Sequence, residues 1–384
     1  MNLSIHTKYT DMKTIKYIST LALAALALLG TASCSEDDLG PTIFPDTEDQ
    51  LDPNSYTYKF DKWLIQEYLT PYNLDFRYKM QDVGADMNYN LVPAEYNKAM
   101  DLALLTKYLW FDVYDDLVGE DFLKSYGPRI IHLIGSPAYN PQTGTMTLGL
   151  AEGGIKVSLF RVNELNTNNF EMMNEFYFKT MHHEFSHILH QTKTIPTDFQ
   201  TISNGKYDDN NWQDQWEPRI NSLGIVTNYA SSQMREDFAE TIANYITLTD
   251  EDWEQIYTYA ARGWEAPGGE DDLEASVYYC WYYYKNNDAA NGKSYIDDNQ
   301  VVTTTDDKGN VSYSLKGSPT TIVYAVEDKD GVDGVAVLKQ KISICRTWFK
   351  DEWGLDLDAL REEVQIRQKN FNIEELRKQV EDMQ

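Results

Sequence analysis

The sequence predicts an α+β fold that is mainly α-helical, with a small sheet next to one central helix. Apolar residues recur at helical spacing over most of the chain, whereas short β-type runs bounded by glycine cluster between residues 129 and 160. The 384 residues, 42% of them hydrophobic, suffice for a large core. We predict three parts: a leader over 1–33, a tether over 34–55 and a folded domain over 56–384.

The leader has the pattern of a signal peptide rather than that of a folded element. Lys13 and Lys16 precede the apolar run Leu21–Leu29, and small residues then lead to Cys34. The run is too short for an ordinary membrane-spanning helix. This pattern is typical of lipoproteins, so we predict cleavage before Cys34, lipidation of its thiol and a membrane contact through the lipid anchor.

The segment after Cys34 is acidic, as is the chain as a whole. Residues 34–55 are polar and contain three prolines, which indicates a flexible tether. Ser35–Asp38 resembles the acidic export signal of bacterial surface lipoproteins. The whole chain has 61 acidic and 33 basic residues, a net charge of −28. Phosphate binding needs basic surfaces, so the composition argues against a nucleic-acid partner.

Helical periodicity predicts helices over most of the folded domain. They are Phe60–Leu69, Pro93–Tyr114, Asn168–His190, Met234–Leu248, a helix that begins near Asp250, Leu273–Tyr284 and helices from Val337 to the C-terminus.

Short strands are predicted before the third helical region. Arg129–Ile134, Thr145–Leu150 and Ile155–Phe160 are rich in apolar and β-branched residues, and the last two flank a Glu-Gly-Gly turn. We expect an edge strand of this sheet to lie along the rim of the Asn168–His190 helix. A further β-hairpin insertion is predicted over about 286–334.

The two cysteines beyond the leader leave two interpretations open. Cys280 and Cys345 both lie in apolar helical patterns. Outside the cytoplasm they could form a disulfide, but two buried free thiols fit the pattern equally well. The tyrosine-rich segment Leu273–Tyr284 is interpreted as core packing in preference to a sugar-binding platform.

The motif His183-Glu184-Phe185-Ser186-His187 indicates the chemistry of the protein. Residues four apart lie on one face of a helix, so both histidines can bind one metal ion. In this H-E-x-x-H pattern the ion is Zn²⁺, and Glu184 acts as general base on the water that the metal activates. The motif predicts one zinc ion and a zinc-dependent hydrolase, most often a peptidase.

A catalytic zinc site needs a third protein ligand. Downstream, Glu236 and Glu240 share one face of a predicted helix, whereas Asp237 points elsewhere. We assign Glu236 to the metal and Glu240 to a hydrogen bond with a ligand histidine, which would fix its tautomer. Solvated helix carboxylates are the alternative. His190, three residues after His187, could approach the site, but we interpret it as a helix-end histidine that interacts with the helix dipole.

Tyr229 lies seven residues before Glu236, and a phenol near zinc can donate a hydrogen bond to a developing oxyanion. Together with His-Glu-Phe-Ser-His and Glu-Asp-Phe-Ala-Glu, this spacing resembles the catalytic core of anthrax lethal factor-like metallopeptidases. The resemblance covers roughly residues 175–245 and implies a zincin-like (Glu-zincin) fold. It also implies that His183, His187 and Glu236 are the zinc ligands and that Glu184 is the general base. By the same resemblance, Tyr229 is the oxyanion donor and Glu240 is the carboxylate that bonds a ligand histidine.

The whole chain resembles the zinc-binding metallopeptidase lipoproteins known as substrate import-associated zinc metallohydrolases. The resemblance implies an outer-membrane lipoprotein of the cell envelope, with the surface as one candidate location, and a link to a nutrient-uptake complex. We expect a zinc metallopeptidase that acts on peptides or proteins. The alternatives are a catalytically silent binding lipoprotein accessory to an outer-membrane transporter and a zinc amidase. A pure binding protein would have no need of Glu184.

Overall fold

The computed structural model describes residues 48–80, 91–139, 146–147, 149–152, 155–215, 217–261, 263–265, 301–305, 307–308, 311–315, 318–326 and 331–384. Residues 52–384 form one compact unit. The predicted leader with Cys34, the segment Leu273–Tyr284 and Cys280 lie outside the described residues. Among the helices that are described, none is both long enough and apolar enough to cross a membrane.

Helices make up most of the described chain, which confirms the mainly α-helical prediction. They are α1 (Tyr58–Leu64, Ile65–Leu69 and Thr70–Tyr72), α2 (Tyr96–Thr106, Lys107–Phe111 and Asp112–Val118), α3 (Glu120–Tyr126), α4 (Phe170–Met173, Asn174–Phe178 and Lys179–Thr192), α5 (Thr197–Ile202), α6 (Glu217–Ser222), α7 (Met234–Thr247), α8 (Asp250–Ala260), α9 (Gly334–Trp353), α10 (Leu357–Asn370) and α11 (Ile373–Glu381).

Three of these helices, α1, α2 and α4, contain a π-helical turn as their middle part. In α4 this turn is Asn174–Phe178, directly before the part that carries the H-E-x-x-H motif. A π turn inserts an extra residue, so it changes the face that the following residues present. The amino end of α4 is capped by Asn169, whose side chain accepts a hydrogen bond from the amide of Met172 at 3.0 Å.

A small sheet lies beside α4. Its strands are β1 (Asp75–Arg77), β2 (Ile130–Leu133), β6 (Lys156–Leu159) and β5 (Gly149–Glu152), in that spatial order. The first three are parallel, whereas β5 pairs antiparallel with β6, with Glu152 opposite Lys156. The edge strand β5 contacts the motif-bearing part of α4. The predicted small sheet with an edge strand near the central helix is therefore present.

The remaining strands form two antiparallel groups. A short pair joins β3 (Ala138–Tyr139) and β4 (Met146–Thr147). A four-stranded sheet has the order β7, β10, β9, β8, with ranges Gly263–Glu265, Ser318–Val326, Val311–Leu315 and Val301–Thr305. Among its described residues, the interval that we interpret as a β-hairpin thus contains three strands.

The main hydrophobic core joins α2 and α4 through aromatic rings. Phe185 of α4 is buried and packs edge-to-face on Trp110 and Tyr114 of α2, with ring centroids 5.6 and 5.3 Å apart. Such a pair adds about 0.5–1.5 kcal/mol to the burial of its apolar surface. These contacts hold the motif-bearing helix rigidly against the core.

Of the three C-terminal helices, α9 and α10 pack on α7, whereas α11 packs on α1 and α2. Each of the three begins at a side-chain cap. Asp333, Asp356 and Asn372 accept hydrogen bonds from amides of the first turns of α9, α10 and α11. Cys345 of α9 is buried and is a free cysteine.

Candidate metal centre

The H-E-x-x-H motif lies in Lys179–Thr192 of α4, which presents two different faces. Phe185 and Leu189 are buried on the apolar face. His183 and His187 lie one turn apart on another face, with ring centroids 4.7 Å apart. Packing of the apolar face thus aims both imidazoles at the same point.

Three possible ligand atoms converge at that point. The Nε2 atoms of His183 and His187 are 3.0 Å apart, and each lies 3.1 Å from Oε2 of Glu236, in the first turn of α7. Two imidazoles and one carboxylate are a donor set that suits Zn²⁺. Lone pairs packed this closely repel one another unless a cation lies between them, so the donor set fits a metal ion.

Glu240, one turn further along α7, fixes the other nitrogen of His183. Its Oε1 lies 2.8 Å from Nδ1 of His183, although the N–H direction is not ideally aligned. Its Oε2 accepts hydrogen bonds from Thr227 Oγ1 at 2.8 Å and Asn244 Nδ2 at 3.1 Å. Burial opposes ionisation of Glu240, but Lys179, His183 and Thr227 outweigh it, so the pKa of this carboxyl lies well below its usual range.

His190 plays the corresponding part for His187. Its Nε2 lies 2.9 Å from Nδ1 of His187. Burial, and then the neighbouring His187, lower the pKa of His190 to about 4, so it is neutral at pH 7. In the tautomer with its lone pair on Nε2, a neutral His190 accepts a hydrogen bond from the Nδ1–H of His187, which leaves Nε2 of His187 with a lone pair for a metal. The interpretation of His190 as only a helix-end histidine was therefore wrong.

Glu184 and Tyr229 lie at the same site. Glu184 is largely buried, and its negative charge helps to raise the pKa values of His183 and Tyr229. The Tyr229 ring is centred 5.7 Å from the ring of His183, and the residue is 39% exposed. Burial and the Glu236 carboxylate, which also accepts a hydrogen bond from the phenol, raise the pKa of Tyr229. The phenol therefore keeps its proton.

The electrostatics of the site favour positive charge. Burial alone would lower the pKa of His183, but Glu236 and Glu240 outweigh burial and raise this pKa to about 10. Burial would likewise raise the pKa of Glu236, but hydrogen bonds with His183 and His187 outweigh it and lower this pKa. Without a metal, the carboxylates therefore attract a proton to the point where a divalent cation would bind.

Asp237 points away from this site into a buried ion pair. Its Oδ2 lies 2.5 Å from Nζ of Lys341 on α9, and both side chains are fully buried. The Lys341 ammonium also donates to the carbonyl of Gly224 at 2.7 Å, and the Tyr207 hydroxyl donates to Asp237 at 2.8 Å. The pair ties the start of α7, and thus the neighbouring Glu236, to α9.

The structure brings together all the residues that the sequence assigns to the metal site. They are His183, Glu184, His187, Tyr229, Glu236 and Glu240. Cys34 lies outside the described residues. His132 is buried in β2 and is not one of the metal-ligand group. Thr227 and Lys341 were missed, because no local sequence pattern points to them. The contact of His190 with His187 was also missed, although the spacing of three residues between them was a local signal.

This geometry defines a partly buried two-histidine, one-glutamate centre that can hold a metal, the class of site found in zinc hydrolases. The chain belongs to the family described as "Putative zinc-binding metallo-peptidase", whose model matches residues 54–358. It is also similar to a crystal structure of a protein with the same description from Bacteroides caccae ATCC 43185. The two share 32% identity with a TM-score of 0.58, over 87% of this chain and 97% of that chain. No curated protein matches the chain.

Proposed function

We propose that this protein is a zinc-dependent metallopeptidase of the Glu-zincin type, which hydrolyses peptide bonds in peptides or proteins. The convergence of His183, His187 and Glu236 within 3.1 Å of one another, with Glu184 next to His183, carries the proposal. One zinc ion held there supplies Lewis acidity, which polarises the scissile carbonyl and acidifies a water molecule.

The side chains of the chain itself perform the proton transfers. Glu184 takes the proton of the attacking water and passes it to the leaving amine. Tyr229 keeps its phenol protonated and donates a hydrogen bond to the oxygen that gains negative charge in the transition state. Glu240 and His190 hold His183 and His187 in the tautomers that leave their Nε2 atoms as acceptors.

The experiment that tests this function compares Glu184→Gln with the wild type on a peptide library, with and without a chelator. Removing a general base lowers the rate about 10²- to 10⁴-fold. We expect Glu184→Gln to keep its zinc and to lose cleavage by this factor. Glu175→Gln, an exposed glutamate earlier in α4, is the matched control and should cleave normally. Normal cleavage by zinc-loaded Glu184→Gln would contradict the mechanism.

The leader of the chain bears on the location of the protein in the cell. We propose that Cys34 is lipidated and that the tether over 34–55 connects the domain to the outer membrane of the cell envelope, beside a nutrient-uptake complex. The apolar run and small residues before Cys34 support the lipidation. The resemblance of the chain to import-associated zinc metallohydrolase lipoproteins supports the outer-membrane location and the uptake complex. Labelling with a radioactive fatty acid should mark the wild type but not Cys34→Ser, and equal labelling of both would refute the anchor.

A further inference from the structure

Two aromatic rings lie next to the metal centre but outside the hydrophobic clusters of the described residues. Trp212, in the short 3₁₀ helix Trp212–Asp214, packs edge-to-face on Tyr229, with ring centroids 5.0 Å apart at 68°. The Tyr229 ring in turn lies 5.7 Å from the ring of His183. Both aromatic side chains are partly exposed, and neither belongs to these clusters. Core packing therefore does not account for this tryptophan.

The loop that carries the tryptophan, residues 207–215, is fixed at both ends to the turn that carries the tyrosine. At one end, the amide of Asp208 donates to the carbonyl of Ser231 at 2.8 Å. At the other, Nδ2 of Asn228 donates to the carbonyl of Gln215 at 2.7 Å. The two rings are thus parts of one constrained unit, and a pre-formed surface binds a ligand at a lower entropic cost than a flexible one.

We infer that Trp212 and the exposed surface of Tyr229 form the wall of a substrate subsite, which receives an aromatic or large aliphatic side chain next to the scissile bond. The inference rests on the proposed peptidase function and assigns it a substrate class. Two partly exposed rings at an angle to each other offer apolar surface that a third apolar group can cover.

Two sets of three peptides test the subsite. Within a set, the peptides differ only in the residue next to the cleaved bond, which is Phe, Ala or Lys. The two sets place this residue on opposite sides of the bond. A contact of this size changes kcat/KM by about 10- to 100-fold. We expect the zinc-loaded wild type to prefer Phe over both Ala and Lys by such a factor. Trp212→Ala should reduce the preference to less than about threefold by lowering kcat/KM for the Phe peptide only, since it removes this contact alone.

Two further variants separate recognition from support of the fold. Trp212→Phe keeps an aromatic wall and should retain most of the preference. Gln213→Ala, an exposed neighbour in the same 3₁₀ helix, is the matched control and should behave as the wild type. An equal loss on the Phe and Ala peptides would overturn the subsite, because it would mean that Trp212 only supports Tyr229. A wild type without preference, or with a preference for Lys, would overturn it as well.

A binding measurement distinguishes failure of the subsite from failure of the peptidase proposal. Calorimetric titration of zinc-loaded Glu184→Gln with the same peptides should give a Kd about 10-fold lower for Phe than for Ala. Adding Trp212→Ala to this variant should abolish the difference. If the protein binds the Phe peptide more tightly than the Ala peptide but the wild type cleaves neither, the peptidase function is refuted and the subsite is kept. If the wild type cleaves both peptides without a difference in cleavage or in binding, only the subsite is refuted.

Discussion

Substitution of Lys341 by methionine tests how the fold supports the metal centre. Methionine retains most of the apolar stem of lysine but removes the ammonium group, so a buried carboxylate remains without its cation. The hydrogen bond from Tyr207 to Asp237 at 2.8 Å would remain, whereas the carbonyl of Gly224 would lose its bond from Lys341. Burial already lowers the pKa of Lys341 and raises the pKa of Asp237, so each charge depends on the other.

The size of the loss follows from the charge that is left behind. Protonation of a carboxyl with an ordinary pKa costs about 4 kcal/mol at pH 7, which limits the penalty because Asp237 can take up a proton. The bare carbonyl of Gly224 adds about 1 kcal/mol. We therefore expect Lys341→Met to lower the free energy of unfolding by about 3–5 kcal/mol, the range for buried pairs that lose one partner.

Urea denaturation in the presence of a chelator measures this loss without any contribution from bound metal. Lys350→Met, an exposed lysine of the same helix α9, is the matched control and should change the free energy by less than about 0.5 kcal/mol. The double variant Lys341→Met/Asp237→Asn should lose about 3 kcal/mol less than the sum of its two single variants. A loss below about 1 kcal/mol for Lys341→Met, or strict additivity in the cycle, would refute the reasoning, because a real pair couples its two partners.

Three further predictions concern the site and the core. His190→Ala should weaken zinc binding about 10- to 100-fold in a competition titration, because the metal-binding imidazole loses its partner at Nδ1; unchanged affinity would contradict the role of His190. Tyr229→Phe should lower kcat about 10²- to 10³-fold with an unchanged zinc content, and an unchanged kcat would exclude the phenol from the oxyanion site. In a Cys34→Ser/Cys280→Ser background, the buried Cys345 should react with a thiol reagent only as the chain unfolds, since burial raises its pKa; fast labelling of the native protein would contradict its burial.

Local periodicity predicts which residues of the candidate site share a helical face. His183 and His187 are four residues apart on one helix, as are Glu236 and Glu240, so helical geometry alone places each pair on one face. The contact between the two helices is a long-range feature, and the sequence supported it only through the resemblance to other metallopeptidases.

Features that depend on tertiary structure could not be predicted in this way. Asp237 and Lys341 are 104 residues apart, and no local pattern links them. The strand β1 has only three residues and was missed, because its role as a parallel partner of β2 depends on the sheet. Trp212 reaches Tyr229 because hydrogen bonds from Asp208 and Asn228 hold the loop over 207–215 against the turn that carries Tyr229.

The zinc content of four purified proteins tests the central claim most directly. We expect the wild type and Glu184→Gln each to contain one zinc ion per chain after dialysis. His187→Ala and Glu236→Ala should contain far less, because each loses one of the three converging ligand atoms. A full zinc ion in Glu236→Ala, or none in the wild type after zinc is supplied, would contradict the two-histidine, one-glutamate centre.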